Sequence, residues 1–417
     1  MASKSFPKIA IIGGGPAGLT LGLLLHKQGI PFTIYELRQK PTKADLTKPS
    51  GMLDLHEESG LAALKGCSLY DTFLTLSGEC SEAQRVADKD GNIIYADEGE
   101  LSQRPEISRH ALTNLLTEHL PQDSIKYAHK LLSVSPSTKE LDFGPHGKQP
   151  FDLLVGADGA WSCVRTALTD TRPHYAGTQS ITGTIPHIST KYPHLSSLIG
   201  TGSFSALGLR HGVMAQRGPT ESVRIYTFLS IPGDEHFPST SGLGKLDLQV
   251  AKERLLTDTK LLGSFGKSIK ELVSASCEEE SKTNPDSKTL PIKPLYTLPT
   301  DSTFPHNTNS AVGITLIGDA AHLMPPWAGE GVNLAMWDSL LLSDAIVRAF
   351  QEGNGQSASF LGSLDPLLQA FEMEMFSRAR KKAEETEGNG KMLFGENGAV
   401  AFKRFFESVY GEANGSS

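Results

Sequence analysis

The sequence lacks paired cysteines, a long apolar run and a basic tract, and each lack removes a class of function. Cys67, Cys80, Cys163 and Cys277 are widely spaced, with no CxxC among them. This pattern favours free thiols in a reducing compartment over a disulfide framework, a zinc ribbon or a redox-active dithiol. The apolar stretch LGLLLHKQG is cut by His26 and Lys27, so no segment reaches membrane-spanning length. The opening MASKSFPKIAIIGGG runs almost directly into a strand without a signal-peptide pattern, and a cytoplasmic enzyme is the expectation. Acidic residues outnumber basic ones, 47 to 39, for a formal charge of -8. With no interleaving of aromatic and basic residues, nucleic acid is not an expected partner.

What is present is a chain of 417 residues with ordinary hydrophobic content, long enough for one or two joined domains. Ile9–Ile12 reads as a buried strand, Pro16–Lys27 as a helix and Pro31–Tyr35 as the next strand, ending at Glu36. The polar stretch from Leu37 to Gly51, with Pro41 and Pro49, reads as a loop. RHALTNLLTEHL places Leu112, Leu115, Leu116 and Leu120 on one helical face, with Ser108 as its cap. Between about 175 and 300 the segments become short, β-prone and punctuated by Gly and Pro, with a buried helix expected near 250 to 275. A strand at Ile314–Ile317 and a long helix starting near Gly331 then resume the first pattern. PLLQAFEMEMFSRARKKAEE reads as a further helix, GNGKMLFGENG as a loop and AFKRFFESVY as a last helix.

The strongest chemical signal is IAIIGGGPAGLTLGLLLHKQGIPFTIYE. Gly13 permits the tight turn out of the strand, Gly15 lets the backbone approach a pyrophosphate and Gly18 lets the helix pack on the sheet. The helix start offers unpaired N–H groups to the phosphates, and Glu36 is placed to accept from the hydroxyls of an adenosine ribose. Strand, glycine turn, helix and terminal acid together predict dinucleotide binding. The second signal is ITLIGDAAHLMPPWAGEGVNLAMWDSLLLSDAI. Asp319 follows a buried strand and a glycine, where a carboxylate can bind a sugar-alcohol hydroxyl or act as an N-cap. Pro325 and Pro326 stiffen the approach to Gly329 and Gly331, which allow the backbone to meet a flat ring. His322 has no companion ligands at metal-binding spacing, and a structural or cofactor-shaping role is expected for it.

GGGPAGL with Glu36, VGADGAWSCVR, and IGDAAHLMPPWAGEGVNLAMWDSLLLSD together resemble the class A, aromatic-hydroxylase-like flavoprotein monooxygenases. GMLDLHEESG and RPEISRHALTNLL add a likeness to the tetracycline-inactivating members and their fungal secondary-metabolism relatives. The resemblance implies an α/β fold with a discontinuous Rossmann-like FAD-binding domain, at 1–174 and 301–380. A mainly β substrate domain at 175–300 and a C-terminal helical tail at 381–417 complete the expected organisation. It also implies that Asp319 binds the ribityl chain of FAD and that Arg109 lies near the flavin and pyrophosphate. Asp54 of the LDLH segment is placed at the FAD site, Gly331 and Val332 give backbone contact beside the flavin, and Asp158 with Gly159 belongs to a motif tied to FAD and NADPH.

Competing readings are a turn-forming role for Asp158, a solvated salt bridge for Arg109 and a loop role for Asp54. Leu37, where relatives often carry an arginine, is a departure from the family pattern, and Arg38 or Lys48 is the candidate replacement cation. The implied cycle uses NADPH or NADH to reduce FAD. Molecular oxygen then forms a flavin C4a-hydroperoxide that hydroxylates or epoxidises an aromatic, polyketide-like or prenylated small molecule. An FAD-linked oxidase or oxidative cyclase, and a non-catalytic flavin-binding regulator, are the alternatives. Only one nucleotide fingerprint is visible, which suits a reductant that visits the flavin transiently. Arg210, His211 and Gln216 are candidates to bond a phenol or carbonyl on the middle sheet, with solvated-strand roles equally open. Met214 and Phe228 read more readily as core.

Overall fold

The computed structural model describes residues 6–46, 48, 50–77, 83–99, 106–283, 288–301 and 312–410; Cys80 lies outside them. Five short strands from distant parts of the chain form one parallel sheet, in the order Ile314–Leu316, Leu153–Gly156, Ile9–Ile12, Thr33–Tyr35, Ile125–Lys126. Ile9–Ile12 lies at its centre and is buried at every position, as a parallel strand covered on both faces must be. The helix Pro16–Lys27 begins with proline at its first turn and buries every residue from Ala17 to Leu25. Packed against it is the long helix Gly331–Glu352, and Ser339 Oγ donates to the Ala17 carbonyl at 2.8 Å. Ile12 pairs with both Tyr35 and Gly156. The three strands therefore end level, and Gly13, Glu36 and Ala157 leave the sheet at one edge, the carboxyl-end crevice where such folds bind ligands. This is the discontinuous α/β architecture expected from the sequence.

A seven-stranded sheet forms the second layer, in the order Lys293–Thr297, His174–Ile185, Val223–Ser230, His211–Arg217, Ser203–Gly208, Gln84–Asp88, Ile93–Asp97. Its last two strands are a hairpin drawn from well upstream of residue 175, joined through parallel pairing of Ser203–Leu207 with Gln84–Asp88. QRVAD carries too few apolar residues to announce itself as part of a buried sheet. On one face Phe204, Val213, Ala215, Ile225 and Leu229 pack under Ile269, Leu272 and Val273. The single helix expected near 250–275 is two helices, Leu248–Thr257 and Lys267–Thr283. Between them, a Cβ at Gly263 would sit 2.4 Å from the Thr257 carbonyl oxygen, so the chain turns there too tightly for any side chain.

The tail differs from expectation in the other direction. Ser357–Leu393 is one helix that continues through GNGKML, and the loop is confined to a few residues before Gly398–Tyr410. Gly390 explains the continuation: a Cβ there would lie 2.9 Å from the Trp327 ring, so glycine lets the helix pass close to that side chain. Leu393, Ala399 and Phe406 then cluster with Val86 and Leu207, capping one end of the sheet face that looks away from Lys267–Thr283. Among the described residues no helix is long and apolar enough to cross a membrane.

Candidate cofactor and active site

The end of the cleft around Gly13 and Glu36 is built by backbone. Gly13 has φ +111°, and a Cβ there would meet the Ala157 oxygen at 2.2 Å; one on Gly18 would meet the Gly13 oxygen at 2.1 Å. Both glycines are demanded by packing alone. Gly15 is different, because a Cβ there would meet nothing within 4 Å. It precedes Pro16 at the helix start, where the N–H groups of the first turn have no intrahelical acceptor. The surface it leaves bare has the backbone donors and the open space that an anionic group requires. Glu36 is oriented from two sides, accepting from the Gly14 N–H at 2.7 Å and the Arg38 N–H at 2.8 Å.

The end around Asp319 and Gly331 is assembled from scattered stretches. Gly318 has φ +62° and turns the chain so that the Asp319 side chain emerges exposed between buried neighbours. Burial of its surroundings pushes the Asp319 carboxyl above its ordinary range, with His322 and Arg109 opposing. Arg109 opens the helix Arg109–Glu118, its N–H donating to the Gly51 carbonyl at 2.9 Å. It acts electrostatically on both Asp319 and Tyr226. Gly331 has room for a Cβ with nothing within 4 Å, as does Gly329, which sits at φ +69°. The helix ladder starts with Leu334 N–H donating to the Glu330 carbonyl, leaving Gly331, Val332 and Asn333 as its amino-terminal donors.

Asp54 is brought to the same place by the strand pair Met52–Asp54 and Glu106–Ser108. Buried Asn333 stitches that strand to the helix: its Nδ2 donates to the Asp54 carbonyl at 2.9 Å, and its Oδ1 accepts from the His56 N–H at 2.9 Å. Two remaining candidates are differently employed. The Asp158 carboxylate accepts from Ser162 Oγ at 2.5 Å and from the Cys163 N–H at 2.8 Å, as a turn-forming residue does. Lys48 pairs with Asp45 at 2.8 Å on an exposed turn, and Arg38 is exposed.

Behind Asp319 lies a charged hub. Asp338 is completely buried; it accepts from the Gly318 N–H at 2.9 Å, meets His322 Nε2 at 2.6 Å and pairs with Arg378 at 2.8 Å. Burial favours its neutral form, but His322 and Arg378 outweigh that and hold the carboxyl below its ordinary value. His322 is thus a structural histidine, anchoring the turn that presents Asp319. Arg165, 2% exposed, donates to the Ala320 carbonyl at 2.9 Å and the Ala160 carbonyl at 2.6 Å, tying the two glycine-rich segments together.

On the open face of the large sheet, Met214 lies opposite Tyr226, Gln216 opposite Arg224 and Gly212 opposite Phe228. Phe228 meets the Trp327 ring edge-on at 4.6 Å, and Trp327 meets Phe394 at 4.7 Å. Tyr226 is mostly buried near Gly51, where a Cβ would come within 2.8 Å of its hydroxyl. Burial raises its phenol above the ordinary value. Gln216 Nε2 donates to Glu106 at 3.3 Å. The other two polar candidates do not line this face. Arg210 is at the hairpin tip with φ +64° and pairs with Glu396 at 2.8 Å. His211 is buried between the Lys260 carbonyl and the Ser230 N–H.

The arrangement fits FAD: Gly15, Gly329 and Gly331 leave unobstructed space, and with them stand two helix starts and the carboxylates of Glu36 and Asp319. The FAD binding domain family matches residues 7–228 and 280–359. The chain belongs to that family, the FAD-binding monooxygenases of the class A flavoprotein superfamily, and its function is a flavin-dependent oxidation. It is 34% identical to the monooxygenase penA of Penicillium thymicola, over 98% of this chain and 100% of that protein. Monooxygenase asqM of Emericella nidulans is 33% identical, over 96% and 99% respectively. The fold is also that of Klebsiella pneumoniae HpxO complexed with FAD and uric acid, with a TM-score of 0.70, 15% identity, and coverage of 97% of this chain and 92% of that one. Relatives sharing a third of the sequence are thus fungal monooxygenases, and the narrower likeness to tetracycline-inactivating enzymes is not specifically supported.

Asp338, Arg378, Asn333, Glu330 and Tyr226 are absent from the residues singled out in the sequence. Asp338 and Asn333 do lie inside the GEGVNLAMWD stretch, where polar residues on the inner face of a long helix are the available signal.

Proposed function

We propose that this enzyme uses NADPH or NADH and molecular oxygen to hydroxylate or epoxidise an aromatic, polyketide-like or prenylated small molecule, in the manner of a natural-product monooxygenase. The observation that carries this reading is the mixed aromatic and polar sheet face of Met214, Gln216, Tyr226 and Phe228, closed at one end by Trp327 and Phe394. The Pro325–Gly329 turn that bears Trp327 leads directly into the helix start at Gly331. Apolar rings suit a flat or prenylated substrate, and the Tyr226 hydroxyl and Gln216 amide supply orienting bonds.

FAD, when bound, supplies the hydride acceptance and oxygen activation. In this reading Asp319, Glu36, Gly15, Asp54, Arg109, Gly331 and Val332 bind and orient it, with Gly13 and Gly18 shaping the turn. Asp158 acts by holding the 158–164 turn in place. Trp327, Phe228 and Phe394 exclude water from the reacting face. The reductant needs no second nucleotide domain, since the sequence offers only one glycine fingerprint.

The test is mass spectrometry after incubating the FAD-loaded enzyme with NADPH and a panel of phenolic, polyketide and prenylated substrates under isotopically labelled oxygen. One labelled atom in the product with matching NADPH consumption is expected. Product oxidation with peroxide release and no label overturns oxygen transfer and identifies an oxidase.

A further inference from the structure

His56 follows directly on the strand Met52–Asp54 and lies between two carboxylates. Its Nε2 is 3.6 Å from Asp54 Oδ2 and its Nδ1 is 3.5 Å from Glu330 Oε2. The Glu330 side chain is 9% exposed and immediately precedes Gly331, the first residue of the long helix. Its other oxygen takes Lys382 Nζ at 2.5 Å, and Lys382 reaches Glu385 at 3.1 Å. A row of alternating charge therefore runs from Asp54 in the cleft through His56, Glu330 and Lys382 to Glu385 at the surface.

The neutral bonds of Asn333 already join the strand to the helix, so connection alone does not require an imidazole between two acids. Charge does. With a neutral imidazole, Asp54 and Glu330 lose the cation that lies within 3.6 Å of both. With an imidazolium each acid has a cation against it. The cation also sits beside the helix start whose backbone donors are offered to the ring.

We propose that His56, as the imidazolium, is a positioning residue that clamps Asp54 and Glu330 and sets the electrostatic potential at the start of the Gly331–Glu352 helix, so that its protonation governs the affinity and reduction potential of the bound flavin. The proposal rests on the placement of the flavin ring at that helix start. Asp54 first and Glu330 second hold the His56 pKa up, to about 9, against burial. Glu330 is correspondingly brought below its ordinary value by His56 and Lys382, although burial works the other way. Among the described residues, the charged groups facing the imidazole are Asp54, on the strand, and Glu330, at the helix start. Lys382 and Glu385 stand beyond Glu330 on the helix Ser357–Leu393, and on its own segment Glu57 is engaged with Lys65. The cation therefore persists through neutral pH and is lost above about pH 9. Its loss disfavours the negative charge that the ring acquires on reduction.

The experiment measures reduction potential against pH, from pH 6 to 10, on the FAD-loaded wild-type enzyme and the His56→Gln and Glu330→Gln variants. FAD dissociation is followed in parallel by fluorescence. Wild type is expected to show a downward bend near pH 9; H56Q should lie lower at pH 7, lack the bend and converge on wild type at high pH. E330Q should keep the bend but at lower pH, since one of the two acids that raise the His56 pKa is gone. An H56Q curve superimposed on wild type, or one that keeps the bend, overturns the proposal. Should H56Q not fold, the His56 ring proton is titrated by NMR in wild type and E330Q, and titration near 6.5 in wild type overturns it equally. Full FAD retention by Asp319→Ala would instead refute the ring placement, which separates the two failures.

Discussion

At the proposed adenosine end of the cleft, one contiguous stretch from Ile9 to Glu36 supplies the strand, the turn, the helix start and the carboxylate. At the proposed ring end, Asp54, Arg109, Asp319, Gly331 and Lys382 arrive from separate parts of the chain. The first end is held by backbone sterics, with Gly13 and Gly18 allowing contacts that no side chain would permit. The second is held by charge, through Asp338, His322 and Arg378 beneath it and His56, Glu330 and Lys382 beside it. A steric device tolerates almost no substitution but is insensitive to pH. An electrostatic device tolerates conservative change, responds to pH and fails when one partner is removed.

The largest expected effect tests the hub. Asp338→Ala leaves Arg378 and His322 without their buried counter-charge and should destabilise the fold by about 3–5 kcal/mol, read as a fall in melting temperature. An unchanged melting temperature would show that the ring end does not depend on this network. Next, Gly18→Ala drives a Cβ to 2.1 Å from the Gly13 oxygen and should cost about 1–3 kcal/mol or more. Gly15→Ala, with open space at its Cβ, should leave the apoprotein's stability within about 0.5 kcal/mol while weakening FAD retention. Equal destabilisation by both would erase the distinction between packing glycines and binding glycines.

Asp319→Ala should weaken FAD binding by roughly 10-fold to 100-fold, about 1.4–2.8 kcal/mol, without loss of apoprotein stability, measured by flavin fluorescence and thermal unfolding. A smaller, pH-dependent effect belongs to Glu372, a buried residue of the long tail helix that accepts from Thr315 Oγ1 at 2.6 Å. Burial pushes its pKa from 4.5 to about 8. Because the folded value is raised, its contribution to stability is fully present below about pH 4.5 and is lost as pH rises through about 8. The melting temperature should therefore fall as pH rises from about 4.5 to about 8 and level off above that, and Glu372→Gln should flatten the fall. Smallest is Tyr226→Phe, which removes one orienting hydroxyl and should change substrate KM by about 0.5–1.5 kcal/mol, a few-fold, with FAD binding unchanged.

The contrast also explains what could be read in advance. Gly13, Gly15, Gly18 and Glu36 were legible because their constraints are local: a turn and a helix start lie within a few residues of one another. Asp319 and Gly331 were legible through a second compact motif. Arg210 and His211 were left open between two roles because strand alternation cannot reveal that Leu209 and Arg210 form a hairpin tip or that His211 turns inward to the Lys260 carbonyl. Likewise GNG looks like a loop in isolation, yet it lies inside the helix Ser357–Leu393, where Gly390 lets the helix pass close to the Trp327 ring.

By itself, then, the sequence determined the strand-turn-helix units, since short-range sterics and hydrophobic periodicity act between neighbours in the chain. It determined from them the α/β class. Only the tertiary structure decided that the 84–97 hairpin completes the large sheet, that Asp338 and Arg378 share a buried charge pair, and that His56 lies against Glu330. Coulombic pairing and close packing depend on distance in space, and for these residues that distance is unrelated to their separation along the chain.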